Sequence, residues 1–277
     1  MTVSIRENVV LTHKSKAIYS SRADGTHLRS RALTLVSLLF SRKRPAGLNA
    51  GSNINAIFDA FRSAEPDSTL YETTLRTVLD RLTREHSFPL TEADRLSVTQ
   101  ALNAFRTAGP YSLKGFGDTT NPTYAQLMAA TDLTGRMQSF LSSEENFKIV
   151  RELEQKNLVI PVVGDFAGAK AIVGVGKYVR EHGTIVNTFY VSNVERYLFE
   201  QGDHGRQFYA NASTLPIDSS TLFVRSVTSD ISRRLGIPIP DSTAKWRTFL
   251  YSMEQSVKGV TSGKVQGYAQ LFEVGRR

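Results

Sequence analysis

Two short stretches carry the residue types that could do chemistry. The first is GDFAGAK, where Asp165, Phe166, Gly168 and Lys170 follow an apolar run and precede a helical pattern. The second is SNVERY, where Ser192, Asn193, Glu195 and Tyr197 follow another β-rich run. Small residues at a strand-to-helix turn let backbone N–H groups approach an anion or the polar edge of a ligand. A carboxylate at such a strand end, here Asp165, can accept a hydrogen bond from a ribose or an amine, or simply cap the next helix. Glu195 has the same two readings, a helix-capping carboxylate or a group facing a shared crevice with Asn193. No catalytic residue is assigned by these patterns.

Several chemistries are excluded. GDFAGAKA is not a phosphate-binding P-loop, because Ala169 stands between Gly168 and Lys170, and Ala171 offers no hydroxyl to magnesium. No G-x-G-x-x-G follows a β-rich run, and Ser192 lacks the small neighbours of a nucleophile elbow. The chain has no cysteine, which removes disulfides, iron–sulfur clusters, thiolate zinc and cysteine nucleophiles. The five histidines show no metal-binding spacing, so no metal is expected.

The elements that must position the two stretches read as strand, turn, helix, strand, helix from Leu158 to Leu198. Val159, Ile160, Val162 and Val163 form a short apolar run that predicts a buried parallel strand, with Pro161 interrupting its donors. Ala171, Ile172, Val175, Tyr178 and Val179 share one face of a helix closed by Gly183. Gly174 and Gly176 within that helix read either as packing or as close approach to a sheet. Residues 184–191 and 221–227 predict two more strands, and a Ser192–Glu195 capping pair opens the helix between them. Trp246, Phe249, Leu250, Met253 and Val257 predict an amphipathic helix behind an Asp241–Ser242 cap.

Upstream the pattern is helical. Apolar positions predict helices around Ile54–Phe61 and Tyr71–Leu82, and a Thr91–Asp94 capping box opens a third that Gly109 and Pro110 end. Asn121 with Pro122, and Ser142 with Glu145, read as further helix starts. Weak strands around residues 9–11 and 17–19 precede this block. The expectation is an α/β chain with a Rossmann-like three-layer sheet over residues 111–277 and a mostly helical N-terminal region over residues 1–110.

Charge is unevenly placed. Residues 1–44 hold nine Lys or Arg against two acids, while the rest of the chain holds 25 against 24, within a net charge of +8. The first 44 residues read as a solvated basic tail, or as an arm that holds nucleic-acid phosphates. The apolar run at residues 32–40 is too short to span a bilayer and lies too far in for a cleavable signal, which predicts a soluble, cytoplasmic protein.

The segments LFSRKRPAGL (39–48), PTYAQLMAATD (122–132), FLSSEENFKIVRELEQKNLVIPVVGDFAGAKAI (140–172), FYVSNVERYLF (189–199) and LPIDSSTLFVRSV (215–227) resemble an uncharacterised bacterial protein family. Fuller members of that family resemble S-adenosylmethionine-dependent methyltransferases in fold. The resemblance implies a nucleoside-type small molecule, with S-adenosylmethionine as cofactor, in a crevice formed by Asp165–Lys170 and Ser192–Tyr197. The chain departs from the pattern at its start. Residues 1–32 contain no G-x-G turn, and AIYSSRADGTHL carries Asp24 as its only carboxylate. The alternative is a non-catalytic interaction protein that keeps the fold and uses its basic N-terminal arm.

Overall fold

The computed structural model describes residues 28–277, apart from 50, 86, 112–121, 161, 163 and 238–245. The expected strands at residues 9–11 and 17–19, the Asn121 cap and the Asp241–Ser242 cap lie outside the described residues. The chain divides into two compact units between Pro161 and Val162, so the expected division at residues 110 and 111 falls inside the first unit.

The first unit is helical among its described residues. It comprises α1 (Leu28–Phe40), α2 (Ile54–Ser63), α3 (Ser68–Asp80) continued by a π-turn at Arg81–Glu85, α4 (Glu92–Ala108), α5 (Tyr124–Met128) and α6 (Glu144–Gln155). Local sequence sets most of these boundaries. The Asn53 and Asp67 side chains accept from the N–H groups of Ala56 and Leu70, and the Thr91–Asp94 capping box forms as expected. Two caps differ from expectation. Thr123 with Gln126 caps α5, and Ser143 rather than Ser142 caps α6, each one residue before the first helical turn. The core of the unit is an aromatic cluster in which Phe40, Phe58, Phe105 and Tyr124 meet edge-on or tilted at 5.6 to 6.3 Å between centroids. Burial pushes the Tyr124 phenol well above its ordinary range.

The second unit mixes helices with a small sheet. Its order is α7 (Ala171–Glu181), β1 (Thr188–Ser192), α8 (Val194–Phe199), α9 (His204–Ala212), β2 (Leu222–Thr228), α10 (Ser229–Leu235), β3 (Trp246–Ser252), α11 (Met253–Thr261) and a 3-10 turn at Ala269–Glu273. The sheet order is β1-β2-β3, with β1 parallel and β3 antiparallel to β2. The expectation of an α/β chain is met at this level, with the crossover through α8 and α9 joining the parallel pair.

Two expected elements are overturned. The run at residues 158–163 forms no strand at its described positions, and Leu158, Ile160 and Val162 are 63%, 47% and 43% exposed. An apolar run becomes a strand only where a ladder accepts it, and Pro161 removes a donor from the middle of this one. The expected helix at Trp246–Val257 is strand as far as Ser252 and helix only after it, with the Ser252 hydroxyl capping α11 at Gln255 N–H. Seven consecutive residues pair antiparallel with β2, and tertiary pairing overrides the helical spacing.

One face of the sheet is packed. Phe223, Val227 and Tyr251 join Phe208, Tyr209 and Ala212 of α9 and Met253, Val257 and Val260 of α11 in a single core. Gly176 of α7 touches the turn after α9, where an added Cβ would sit 3.0 Å from the Thr214 carbonyl oxygen. Gly174 meets nothing within 4 Å, so the two glycines do not share the close approach to a sheet considered above. The chain end runs beside β3, where Ser252 and Arg277 N–H groups donate to the carbonyls of Gly275 and Leu250. Among the described residues no helix is long and apolar enough to cross a membrane.

Candidate functional site

Arg225 sits in the middle of β2, flanked by Val224 and Ser226, and is fully buried. A guanidinium cannot lose its proton there, so the fold must supply an anion. Glu195 of α8, also at zero exposure, does so with both oxygens. Arg225 Nε donates to Oε2 at 2.7 Å and Nη2 donates to Oε1 at 3.0 Å. Tyr209 of α9 completes the group. Its hydroxyl donates to Glu195 Oε1 and accepts from Arg225 Nη2 at 2.8 Å.

The electrostatics follow from this enclosure. Burial pushes the Tyr209 phenol well above its ordinary value, against the pull of Arg225. Burial also works against the Arg225 charge, but Glu195 and Tyr209 more than offset it and hold the guanidinium above its ordinary range. The Arg225 plane lies 4.8 Å from the Tyr251 ring centroid and 5.0 Å from that of Phe223. Arg225 Nη1 and the Tyr268 hydroxyl are buried polar atoms without a hydrogen-bond partner among the described residues. All three side chains of the group are fully buried.

That arrangement corrects the expected role of Glu195. It neither caps α8 nor faces a crevice, and Asn193, the residue at the helix entrance, makes no side-chain cap bond. The reason is local. Ser192 takes a positive φ of 53° at a bulge in which it pairs with Arg225, so the chain enters α8 with Glu195 turned toward that cation.

The GDFAGAK turn is likewise committed to structure. The Asp165 carboxylate accepts from Ala167 N–H at 3.0 Å, and the Gly168 N–H donates to the Asp165 carbonyl at 3.2 Å. Asn211 of α9 donates through Nδ2 to the carbonyls of Phe166 at 3.1 Å and Gly168 at 2.9 Å. The Phe166 ring packs on Phe189 and Phe208 in the core. Lys170 is exposed and makes no side-chain cap bond at the start of α7. Ser192 and Asn193 are half-buried, and the exposed Tyr197 ring lies under the Arg196 guanidinium at 4.2 Å. The expected residues thus comprise a clamped turn, a buried ion pair and a few surface groups. Among the described residues no three His, Asp or Glu come together as a metal site.

One family model matches residues 68–266, a span that takes in Glu195, Tyr209, Arg225 and all three strands, and it is described as a domain of unknown function (DUF7790). The chain belongs to the DUF7790 family. Its match begins at α3 and runs past α11, so the DUF7790 region includes the whole sheet and leaves α1 and α2 outside it. No curated protein matches the chain.

Sequence reasoning missed Tyr209 and Arg225. The available signal was an arginine inside the apolar run TLFVRSV, because a charge at a buried strand position requires a counter-charge elsewhere in the fold.

Proposed function

We propose that the chain is a non-catalytic interaction protein whose partner is a polyanion such as nucleic acid, engaged through the basic residues 1–44. The observation that carries this reading is the enclosure of Glu195. The only carboxylate on α8 at the end of β1 is locked to Arg225 and Tyr209 at zero exposure, where it cannot serve as an acid, a base or a ligand contact. Asp165, the other expected carboxylate, already holds its own turn. The charge supports an acidic partner, since residues 1–44 carry nine Lys or Arg against two acids.

Nucleic-acid binding measured over a range of salt tests this. Deleting residues 1–27, which removes Arg6, Lys14, Lys16 and Arg22 and spares α1, should flatten the log-affinity against log-salt slope by about 0.7 to 0.9 per lost phosphate contact. An intact chain with no salt-dependent binding to any polyanion rules the reading out.

A second reading is favoured by the parallel β1–β2 pair, with Ser192 and Asn193 at its carboxyl end. On it the chain is methyltransferase-like, a Rossmann-like three-layer protein that binds S-adenosylmethionine or a related nucleoside beside Lys170, Ser192, Asn193 and Tyr197. Glu195, Phe166 and the Gly168 carbonyl do not fit that role, being taken up by the ion pair, the core and Asn211. Calorimetric titration with S-adenosylmethionine and S-adenosylhomocysteine decides it, and an absence of heat at millimolar ligand removes it.

A further inference from the structure

The three strands carry no Asp or Glu; one face of their sheet packs into the core, and among the described residues the other leaves Tyr190, Trp246 and Leu250 exposed around a buried Ser226. Tyr190, Val224 and Leu250 lie side by side across β1, β2 and β3, and alternation along β3 puts Trp246 and Thr248 on the same face as Leu250. Tyr190 is 65% exposed, Trp246 45% and Leu250 44%, with Thr188 and Thr248 exposed between them. Single apolar residues on a surface need no explanation, but two large aromatics on one uncharged sheet face do. Residues 162–277 hold fourteen Lys or Arg against ten acids, so the face belongs to a net-positive unit.

We propose that this face is a stacking platform for single-stranded nucleic acid, with bases seated on Tyr190 and Trp246. The inference rests on the interaction-protein reading and names its partner. An open sheet with exposed aromatics offers flat rings to unstacked bases, which a single strand presents and a duplex hides. At about 4.8 Å between strands and about 3.3 Å per residue, the two aromatic positions are about 16 Å apart, so they address bases several positions apart on one strand. The phosphates between them are left to the net positive charge of the unit.

Trp246 is the only tryptophan of the chain, so its emission reports this face directly. The test titrates the full chain with a homopolymeric single-stranded oligonucleotide of about 16 nucleotides, with a duplex of the same length, and with itself over a concentration series. Single-stranded oligonucleotide should quench Trp246, and Tyr190→Ala should weaken its binding about ten- to hundredfold without changing the salt slope. Tyr190→Phe, which keeps the ring, should bind within about twofold of the parent. Binding that leaves Trp246 emission unchanged and ignores Tyr190→Ala overturns the platform and leaves the polyanion reading standing. So does equal affinity for duplex, or an emission change with protein concentration alone, which would assign the face to a second copy of the chain. No binding to either nucleic acid overturns the platform, and heparin then decides whether the polyanion reading falls with it.

Discussion

Substituting Glu195 should unfold the second unit more readily than any surface change. Glu195→Ala removes two charge-assisted bonds to Arg225 and the acceptor of the Tyr209 hydroxyl, and leaves a guanidinium at zero exposure with no counter-charge. Breaking a buried pair in this way costs about 3 to 5 kcal/mol. That is a large share of the roughly 5 to 15 kcal/mol that holds a domain folded, so the variant should be partly unfolded without denaturant. Tyr209→Phe removes one hydroxyl and keeps the pair, and should cost about 1 to 3 kcal/mol. The double variant Glu195→Leu with Arg225→Met replaces both charges by apolar groups but leaves the buried Tyr209 hydroxyl without its partners, so it should lose about 1 to 3 kcal/mol, less than Glu195→Ala alone. Urea unfolding followed by Trp246 emission reads the unit that contains all three residues. A loss below about 1 kcal/mol for Glu195→Ala, or a double variant as unstable as the sum of its parts, would refute the account of a closed and mutually dependent pair.

The remaining expectations test other parts of the fold. Gly174→Ala in α7 meets open space and should stabilise by about 0.5 to 1 kcal/mol in a urea melt, whereas Gly176→Ala, crowded by the Thr214 carbonyl, should lose that gain. Asn211→Ala should leave the unit folded and speed amide hydrogen exchange at Ala167 and Gly168, because Nδ2 is what ties that turn to α9. The Asp132 carboxyl is held below its ordinary value of 3.8 by the Thr134 hydroxyl first, then by Gln138 and the Arg136 N–H. Its folded value being depressed, the turn from Thr131 to Met137 should be fully formed above 3.8 and lost as pH falls through that lower value. A Thr134 amide resonance titrating at or above 3.8 would contradict it.

Where a pattern is local, the sequence was readable. The Ile54–Phe61 helix and the Thr91–Asp94 box need only neighbours along the chain to form. The run at residues 158–163 was misleading because apolar character states that a segment can be buried, not that a ladder is available for it. Trp246 and Leu250 were misleading for a geometric reason. A separation of four residues places two side chains on one face of a helix and also, being even, on one face of a strand. Thr248, Phe249 and Tyr251, residues that favour strands, were the better guide. In the candidate site, the position of Glu195 after β1 was legible, but its use was not. Its partners lie 14 and 30 residues away, and only the fold brings them to it.

The ion pair and the exposed Tyr190 are linked through the bulge at the end of β1. Tyr190 pairs with Val224, Ser192 pairs with Arg225, and Val191 is the extra residue between them. That insertion lets Tyr190 stay on the open face while the chain turns Glu195 toward Arg225 on the packed one. A slip of one residue in β1 would reverse both, burying the tyrosine and stranding the guanidinium without its anion. The second consequence is the costly one, since the guanidinium is fully buried. A fully buried charge pair therefore fixes the register that keeps Tyr190 in solvent, which is where a stacking partner would reach it.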